Sequence, residues 1–200
     1  MWYYVKNLLF SLAFLFGMGL LPYGIETLKI DSIKLPLNIL NILFFFLIMG
    51  FAMYKEGEES RKRLKANDIE RKRILQTGEL RPIKRSSEYR GWKGFFMGAL
   101  VCSPLILTLL VHAIIYICGG TYEMIAVVGI TLFMGFFMPY IRIKYGSMMN
   151  ENLVFTEYFA CLYVVPLIVL VYGIAYILGA RKVEKKYRFI EERTKMAKRG

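Results

Sequence analysis

The sequence has little of what metal proteins and disulfide-bonded proteins use. Its 200 residues include one histidine and three cysteines, Cys102, Cys118 and Cys161, which have no CxxC spacing. A single histidine cannot form a pair of metal ligands, and an odd number of scattered cysteines supports no disulfide framework. We therefore expect no metal and no cofactor, and we interpret the cysteines as small buried hydrophobic residues.

Catalytic motifs are also missing. The chain has no HExxH, no GxSxG, no Gly-rich loop followed by Lys-Ser/Thr, and no pair of aspartates within an apolar run. Ser103 is followed by proline and Ser11 lies between apolar residues, so neither serine has the glycine-flanked setting of a rhomboid-type nucleophile. These absences predict that the protein is not an enzyme, and an intramembrane enzyme is the alternative that they favour least.

Charged residues are almost missing from five apolar segments, which cover residues 7–25, 35–54, 94–118, 124–141 and 154–179. A helix needs about 20 apolar residues to cross a bilayer core, and several segments reach that length. A soluble globule of this size could not bury so many uncharged helices on all sides. The sequence predicts an all-α fold, a multi-pass integral membrane helical bundle of four to five membrane segments, with one membrane domain over residues 1–180.

Positive charge is concentrated beside these segments. The net charge is +12, and 13 of the 27 lysines and arginines lie between Lys55 and Lys93, with nine more between Arg181 and Arg199. Such clusters are typical of cytosolic segments. We expect a helical loop at 55–93 and a basic C-terminal helix at 181–200, both cytosolic and in contact with anionic lipid head groups. No nucleic-acid module accompanies the charge, so we expect no nucleic-acid partner.

The number of crossings depends on segment 124–141. Three apolar segments separate the two basic regions, and three full crossings would place those regions on opposite sides of the membrane. Segment 124–141 is short and contains Gly129, Gly135 and Pro139, which favours a re-entrant or interfacial segment. We expect four full crossings with both termini in the cytosol, and five crossings are the alternative. The composition indicates a cell membrane, and a bacterial cytoplasmic membrane in particular.

Several residues inside the apolar segments are candidates for a site. Asn38 and Asn41 share one helix face, and with His112 they form a possible polar intramembrane site; hydrogen bonding between helices is the alternative. Gly94, Gly98 and Cys102 recur every four residues, a spacing that lets another helix approach closely, either within the chain or in a dimer.

The two basic regions are candidates for docking. Acid–base pairs spaced i, i+4 between residues 58 and 72 predict a helix that Gly78 ends, and Val183, Tyr187 and Ile190 share a face of the C-terminal helix. These helices either dock on the membrane surface or a partner, or extend into solvent without contacts. The candidate docking residues are Arg61, Lys62, Arg63, Lys65, Arg71, Lys72, Arg73, Tyr187 and Ile190.

The functional expectation is a non-catalytic small integral membrane protein. It would be an accessory or interaction subunit that docks a protein partner, or a second copy of itself, through its basic helices. The alternative is a small permease or transporter subunit with a polar site at mid-membrane. A weak echo between residues 18–23 and 134–140, each containing Met-Gly and ending in Pro-Tyr, is compatible with a duplicated helical hairpin.

Overall fold

The computed structural model describes residues 2–78, 88–118, 133, 135–140, 142–144 and 162–197, and this part of the chain is helical with short connecting turns. Four long helices follow one another: α1 (Trp2–Glu26), α2 (Asp31–Thr77), α3 (Lys93–Ile117) and α4 (Val164–Ala197). Residues 135–140 and 142–144 form a further short helical stretch. No strand occurs among the described residues.

All four helices are long and apolar enough to cross a membrane. Their most apolar stretches have a mean hydropathy of 1.9 to 2.3, and only 22–39% of each stretch is buried. Leu47 and Phe51 of α2 and Leu107 and Ile114 of α3 are each at least 60% exposed. Apolar surface this extensive belongs in lipid. The prediction of an all-helical membrane protein is confirmed to this extent: the described residues form four helices that are long and apolar enough to cross a membrane.

The contacts between helices fix their directions. Asn41 of α2 contacts Met18 of α1, and the ring of Phe45 stacks on that of Phe14, so these two helices are antiparallel. Further along α2, Gly50 faces Val171 and Arg61 pairs with Glu184, so α2 and α4 run in the same direction. The C-terminal ends of α2 and α4 therefore leave the bundle on the same side, which we call the arm side.

The buried face of α2 changes character along its length. Its residues recur every three or four positions, which keeps them on one side of the helix. Phe45 lies at the centre of the bundle, where its ring contacts that of Phe136 at a centroid distance of 5.1 Å. Polar side chains thus come first, large apolar side chains fill the middle, and small residues lie on the arm side. In chain order the buried residues are Lys34, Asn38, Asn41, Phe45, Met49, Met53, Gly57 and Ser60.

Helix α2 is one continuous helix of 47 residues rather than a span followed by a separate helix. At 1.5 Å per residue it is about 70 Å long, more than twice the thickness of a bilayer core. It ends at Gly78, whose φ of 72° lies in the left-handed region that favours glycine, as the sequence predicts. Helix α4 has 34 residues and also continues well beyond its apolar part.

Only the end of segment 124–141 belongs to the described residues. Gly135 packs against Met18, and Arg142 pairs with Glu26 at the end of α1, with 2.7 Å between Arg142 Nε and Glu26 Oε1. Residues 135–140 therefore lie beside residues 18–23, the stretch that they echo in sequence. The question whether this segment crosses fully or re-enters falls on residues outside the described ones.

Candidate functional site: the two-helix arm

The helices α2 and α4 continue past their apolar parts as a two-helix arm, which comprises residues 55–77 and 181–197. At its base the two backbones touch. A Cβ atom on Gly57 would lie 1.9 Å from the carbonyl oxygen of Tyr176, and one on Gly179 would lie 1.9 Å from that of Tyr54. Each helix presents a Tyr-x-x-Gly sequence to the other, and both glycines are required because no side chain fits. This reciprocal contact fixes the arm to the membrane bundle.

Ion pairs join the two helices just beyond this crossing. Arg61 of α2 pairs with Glu184 of α4 at 3.3 Å, and Glu58 of α2 lies 3.8 Å from Lys182 of α4. Glu58 also pairs with Lys62 at 3.1 Å. The hydrogen bond from Lys62, with the charges of Lys182 and Lys55, lowers the pKa of Glu58 below its ordinary value. Glu58 is therefore an anion that holds several lysines in place.

The face of the C-terminal helix that the sequence singled out is partly covered by α2. Val183 is 4% exposed, and Tyr187 lies beneath the ammonium group of Lys65 at 5.8 Å from the ring centroid. The sequence favours either docking on an external surface or a helix without contacts. The structure does not fit a helix without contacts, because Val183 and Tyr187 pack against α2 of the same chain; Ile190 remains 48% exposed.

A short segment before α3 packs against both α2 and α4 through Glu88 and Tyr89. Glu88 is buried and accepts hydrogen bonds from Asn67 Nδ2, at 2.8 Å, and from Arg71. Tyr89 stacks on Tyr176 with 5.3 Å between ring centroids, and its backbone amide donates to the carbonyl of Ser60 at 3.1 Å. These contacts hold the residues just before α3 against α2 and against Tyr176 of α4.

Much of the predicted docking charge is therefore paired with other residues of the same chain. Arg61, Lys65 and Arg71 make the contacts described above, and Arg63 pairs with Glu59 at 2.8 Å. Lys72 is exposed, as are several apolar side chains towards the tip. The distal half of the arm thus carries basic and acidic residues together with exposed apolar groups, which are Ile69, Leu75, Phe189 and Met196.

The polar residues of the membrane part lie near the end opposite to the arm. Pro22 lacks the amide that would bond the carbonyl of Met18 within α1, and Asn41 Nδ2 donates to that carbonyl at 3.1 Å. Asn38 is fully buried, and neither its amide nitrogen nor its oxygen has a hydrogen-bond partner among the described residues. A cavity of about 10 Å³ beside Asn41, close to the minimum for one water, reaches Gly135 and Phe136.

His112 lies at a similar depth. The ring of Tyr4 contacts that of Phe96. Helices α1 and α3 run in the same direction, because each is antiparallel to its neighbour in the parallel pair α2 and α4. At 1.5 Å per residue, His112 and Met18 are within about 3 Å of the same level. Asn41 and His112 thus lie at a similar level, closer to the end of the bundle than to its middle, and Asn38 lies about one helical turn nearer that end.

The glycine stripe of α3 faces α4. A Cβ atom on Gly94 would lie 2.6 Å from Cβ of Tyr176, one on Gly98 would lie 2.8 Å from Cα of Val169, and Cys102 is fully buried. These residues pack within the chain rather than on its surface. Sequence reasoning missed the still closer contacts at Gly57 and Gly179; the repeated Tyr-x-x-Gly was the available signal.

The described residues contain no group of three or more histidine, cysteine, aspartate or glutamate side chains that could hold a metal ion. Comparison of the chain with known proteins finds no matching protein family, no matching curated protein and no matching solved structure. Its function has to be inferred from its own residues.

Proposed function

We propose that this is a non-catalytic membrane protein whose four helices hold a rigid basic arm on the cytosolic side, where the arm docks a protein partner as part of a membrane complex. The observation that supports this most is the continuity of α2 and α4 from the membrane bundle into the arm. A loose tail would lose conformational entropy on binding, whereas a preformed pair of helices has already lost it.

The side of the membrane follows from charge. Residues 55–77 contain eight basic and five acidic residues, and residues 181–197 contain seven basic and three acidic ones. The excess of basic residues next to the spans favours the cytosolic side for both. The parallel direction of α2 and α4 agrees with this assignment, because both extensions leave the bundle together.

The chemistry of the arm's tip defines the kind of partner. Leu75 is 85% exposed and Met196 is 66% exposed, and Lys72 and Arg193 supply charge nearby along their helices. Lys72 and Arg193 each lie three residues, or about one helical turn, before the exposed apolar residue. An apolar side chain beside a basic one fits an acidic protein surface that has an apolar pocket. The tip is also too far from the bilayer for lipid to cover it, since Leu75 lies 21 residues, or about 30 Å, beyond Tyr54.

Site-specific photo-crosslinking in the native membrane tests the proposal. A benzophenone amino acid in place of Leu75 or Met196 should cross-link one protein of defined mass, whereas the same group in place of the lipid-facing Leu47 should not. Lys72→Glu with Arg193→Glu should abolish the product. Lys29→Glu with Lys144→Glu, an equal charge change outside the arm, should leave it unchanged.

Three outcomes would overturn this function. The tip positions could give no protein product, they could give the same product as position 47, or the product could survive charge reversal of the tip. A product of twice the chain mass would identify a second copy of this chain as the partner, and it would replace the hetero-complex with a homo-oligomer.

A second candidate function, a small transporter subunit, is favoured by one observation. Asn38 is buried in the membrane part without a hydrogen-bond partner among the described residues, which is costly unless the site serves a ligand or water. Against it stands the small volume of the cavity beside Asn41. Reaction of Asn38→Cys with a small charged thiol reagent, with Phe45→Cys unreactive as the control, would support a polar path; an unreactive Asn38→Cys would exclude it.

A further inference from the structure

A groove at the base of the arm is lined by basic and apolar side chains. The protein docking proposed for the tip does not involve this groove. It lies between α2 and α4 and has a volume of about 460 Å³. Lys62, Lys182 and Lys186 line it, and Val183, Tyr187 and Ile190 supply its apolar surface. Glu58 is the acidic residue among the groove's lining, so positive charge predominates there.

The height of the groove limits what can occupy it. Tyr54 and Gly179 contact each other at the end of the apolar parts, so they mark one level. Lys182 lies three residues beyond Gly179, and Lys186 seven, which correspond to about 5 and 10 Å along the helix. The head-group layer of a bilayer is about 5–8 Å deep on each side, and a lysine side chain extends several ångströms further. The groove therefore opens into or just above the head groups.

We propose that this groove is a binding site for the phosphate-bearing head group of an anionic phospholipid in the leaflet on the arm side. The ammonium groups of Lys182 and Lys186 contact the phosphate, and Lys62 approaches from α2. Glu58, which lies 3.1 Å from Lys62 and 3.8 Å from Lys182, keeps both lysines at the groove when the lipid is absent. The apolar surface excludes water and strengthens the attraction between lysine and phosphate.

The neighbouring residues of α4 provide a matched control. Arg181 and Lys185 are each one residue before Lys182 and Lys186, so they lie at nearly the same height and carry the same charge. They line a separate depression with Glu184 and Arg188, on another side of the helix. Diffuse attraction to an anionic surface depends only on charge and height, so replacing either pair would weaken lipid binding equally. If lipid binds in the groove, replacing Lys182 and Lys186 weakens binding more than replacing Arg181 and Lys185.

The experiment measures binding of individual lipids to the purified full-length protein by native mass spectrometry. Phosphatidylglycerol is titrated, with phosphatidylcholine as the uncharged comparison. For Lys182→Gln with Lys186→Gln, the affinity for the first phosphatidylglycerol should fall about 30-fold, which is about 1 kcal/mol for each basic residue. For Arg181→Gln with Lys185→Gln it should change by no more than about threefold. Both variants should melt like the parent, because all four substituted side chains are exposed.

Equal losses in the two variants would overturn the site in favour of diffuse surface attraction. Equal affinity of the parent for phosphatidylglycerol and phosphatidylcholine would overturn it as well. If inorganic phosphate competes with the lipid at comparable concentration, the ligand is a free anion and the lipid assignment is wrong. The function proposed for the tip is tested separately, since Lys72→Glu with Arg193→Glu should leave lipid binding unchanged.

Discussion

Gly57 of α2 lies against the carbonyl of Tyr176 in α4, and Gly179 of α4 lies against the carbonyl of Tyr54 in α2. Neither position has space for a Cβ atom. The two contacts have the same distance, 1.9 Å, and the same Tyr-x-x-Gly sequence on each side. A close crossing at this point determines the direction in which the arm leaves the membrane, so the geometry of the whole arm depends on two hydrogen atoms in place of side chains.

Alanine at Gly57 should destabilise the protein. The added methyl group would overlap a backbone oxygen that cannot move alone, so the helices must separate, at a cost of about 2 kcal/mol or more. The matched control is Gly50→Ala on the same helix, where the nearest atom, Val171 Cγ1, would lie 3.6 Å from the new Cβ. That variant should be neutral, or more stable by up to about 1 kcal/mol. Unfolding in detergent micelles measures both, and equal effects would contradict the crossing.

A second prediction concerns Asn41 and the proline of α1. Asn41→Leu should lower the free energy of unfolding by about 1 kcal/mol, because the Met18 carbonyl that Pro22 leaves without a helical partner then loses its donor. Asn38→Leu should be neutral or stabilising, since Asn38 makes no hydrogen bond among the described residues.

A double-mutant cycle separates this explanation from a simple packing effect. In a Pro22→Ala background the Met18 carbonyl can accept a bond from within its own helix, so Asn41→Leu should cost less there. An undiminished cost would show that Asn41 stabilises the bundle by another route.

Many of the local features could be predicted from the sequence. Four of the five apolar segments correspond to the long helices, and the i, i+4 pairs Glu58–Lys62 and Glu59–Arg63 are present at 3.1 and 2.8 Å. These features depend on residues within one or two helical turns, where the spacing along the sequence determines which side chains share a helix face. Asp68 shows the limit of such spacing, because it pairs with Arg71 at 2.8 Å rather than with Lys72.

Features that depend on the packing of distant segments could not be predicted. Glu26 and Arg142 form an ion pair across 116 positions of sequence, and nothing near either residue indicates its partner. Likewise, the sequence predicts a helix over residues 181–200 but not that Tyr187 packs against Lys65. Whether a charged helix is solvated or paired depends on how close its neighbour lies, and Gly57 and Gly179 let α2 and α4 lie close together at the base of the arm.

A third prediction concerns pH. The pKa of Glu58 is lowered by its lysines from an ordinary value of 4.5, so its ion pairs stabilise the arm above that pH and are lost as the pH falls through the lowered value. Spin labels at Gln76 and Thr194, one on each helix of the arm, should report a broader distance distribution in acid. In Glu58→Gln this change should be smaller, because the Arg61–Glu184 pair, and no longer the pair of Glu58 with Lys182, is then left to be lost in acid. A distribution that broadens equally in both proteins would assign the effect to other carboxylates.

The most direct test of the central claim, that the two helices of the arm lie together on the cytosolic side, is cysteine labelling in intact cells. Gln76→Cys and Thr194→Cys are suitable because both positions are exposed, whereas the buried Ser60 is not. Each is introduced singly into a chain without its native cysteines. Cys118 is exposed and lies at the C-terminal end of α3, on the side of the bundle opposite to the arm. It is restored in a third protein as the external control.

An impermeant maleimide should label Cys118 in intact cells, and it should label positions 76 and 194 only after the membrane is opened. Labelling of one arm position but not the other from outside would place α2 and α4 in opposite directions and restore five crossings. Labelling of both from outside would contradict the cytosolic assignment of the arm.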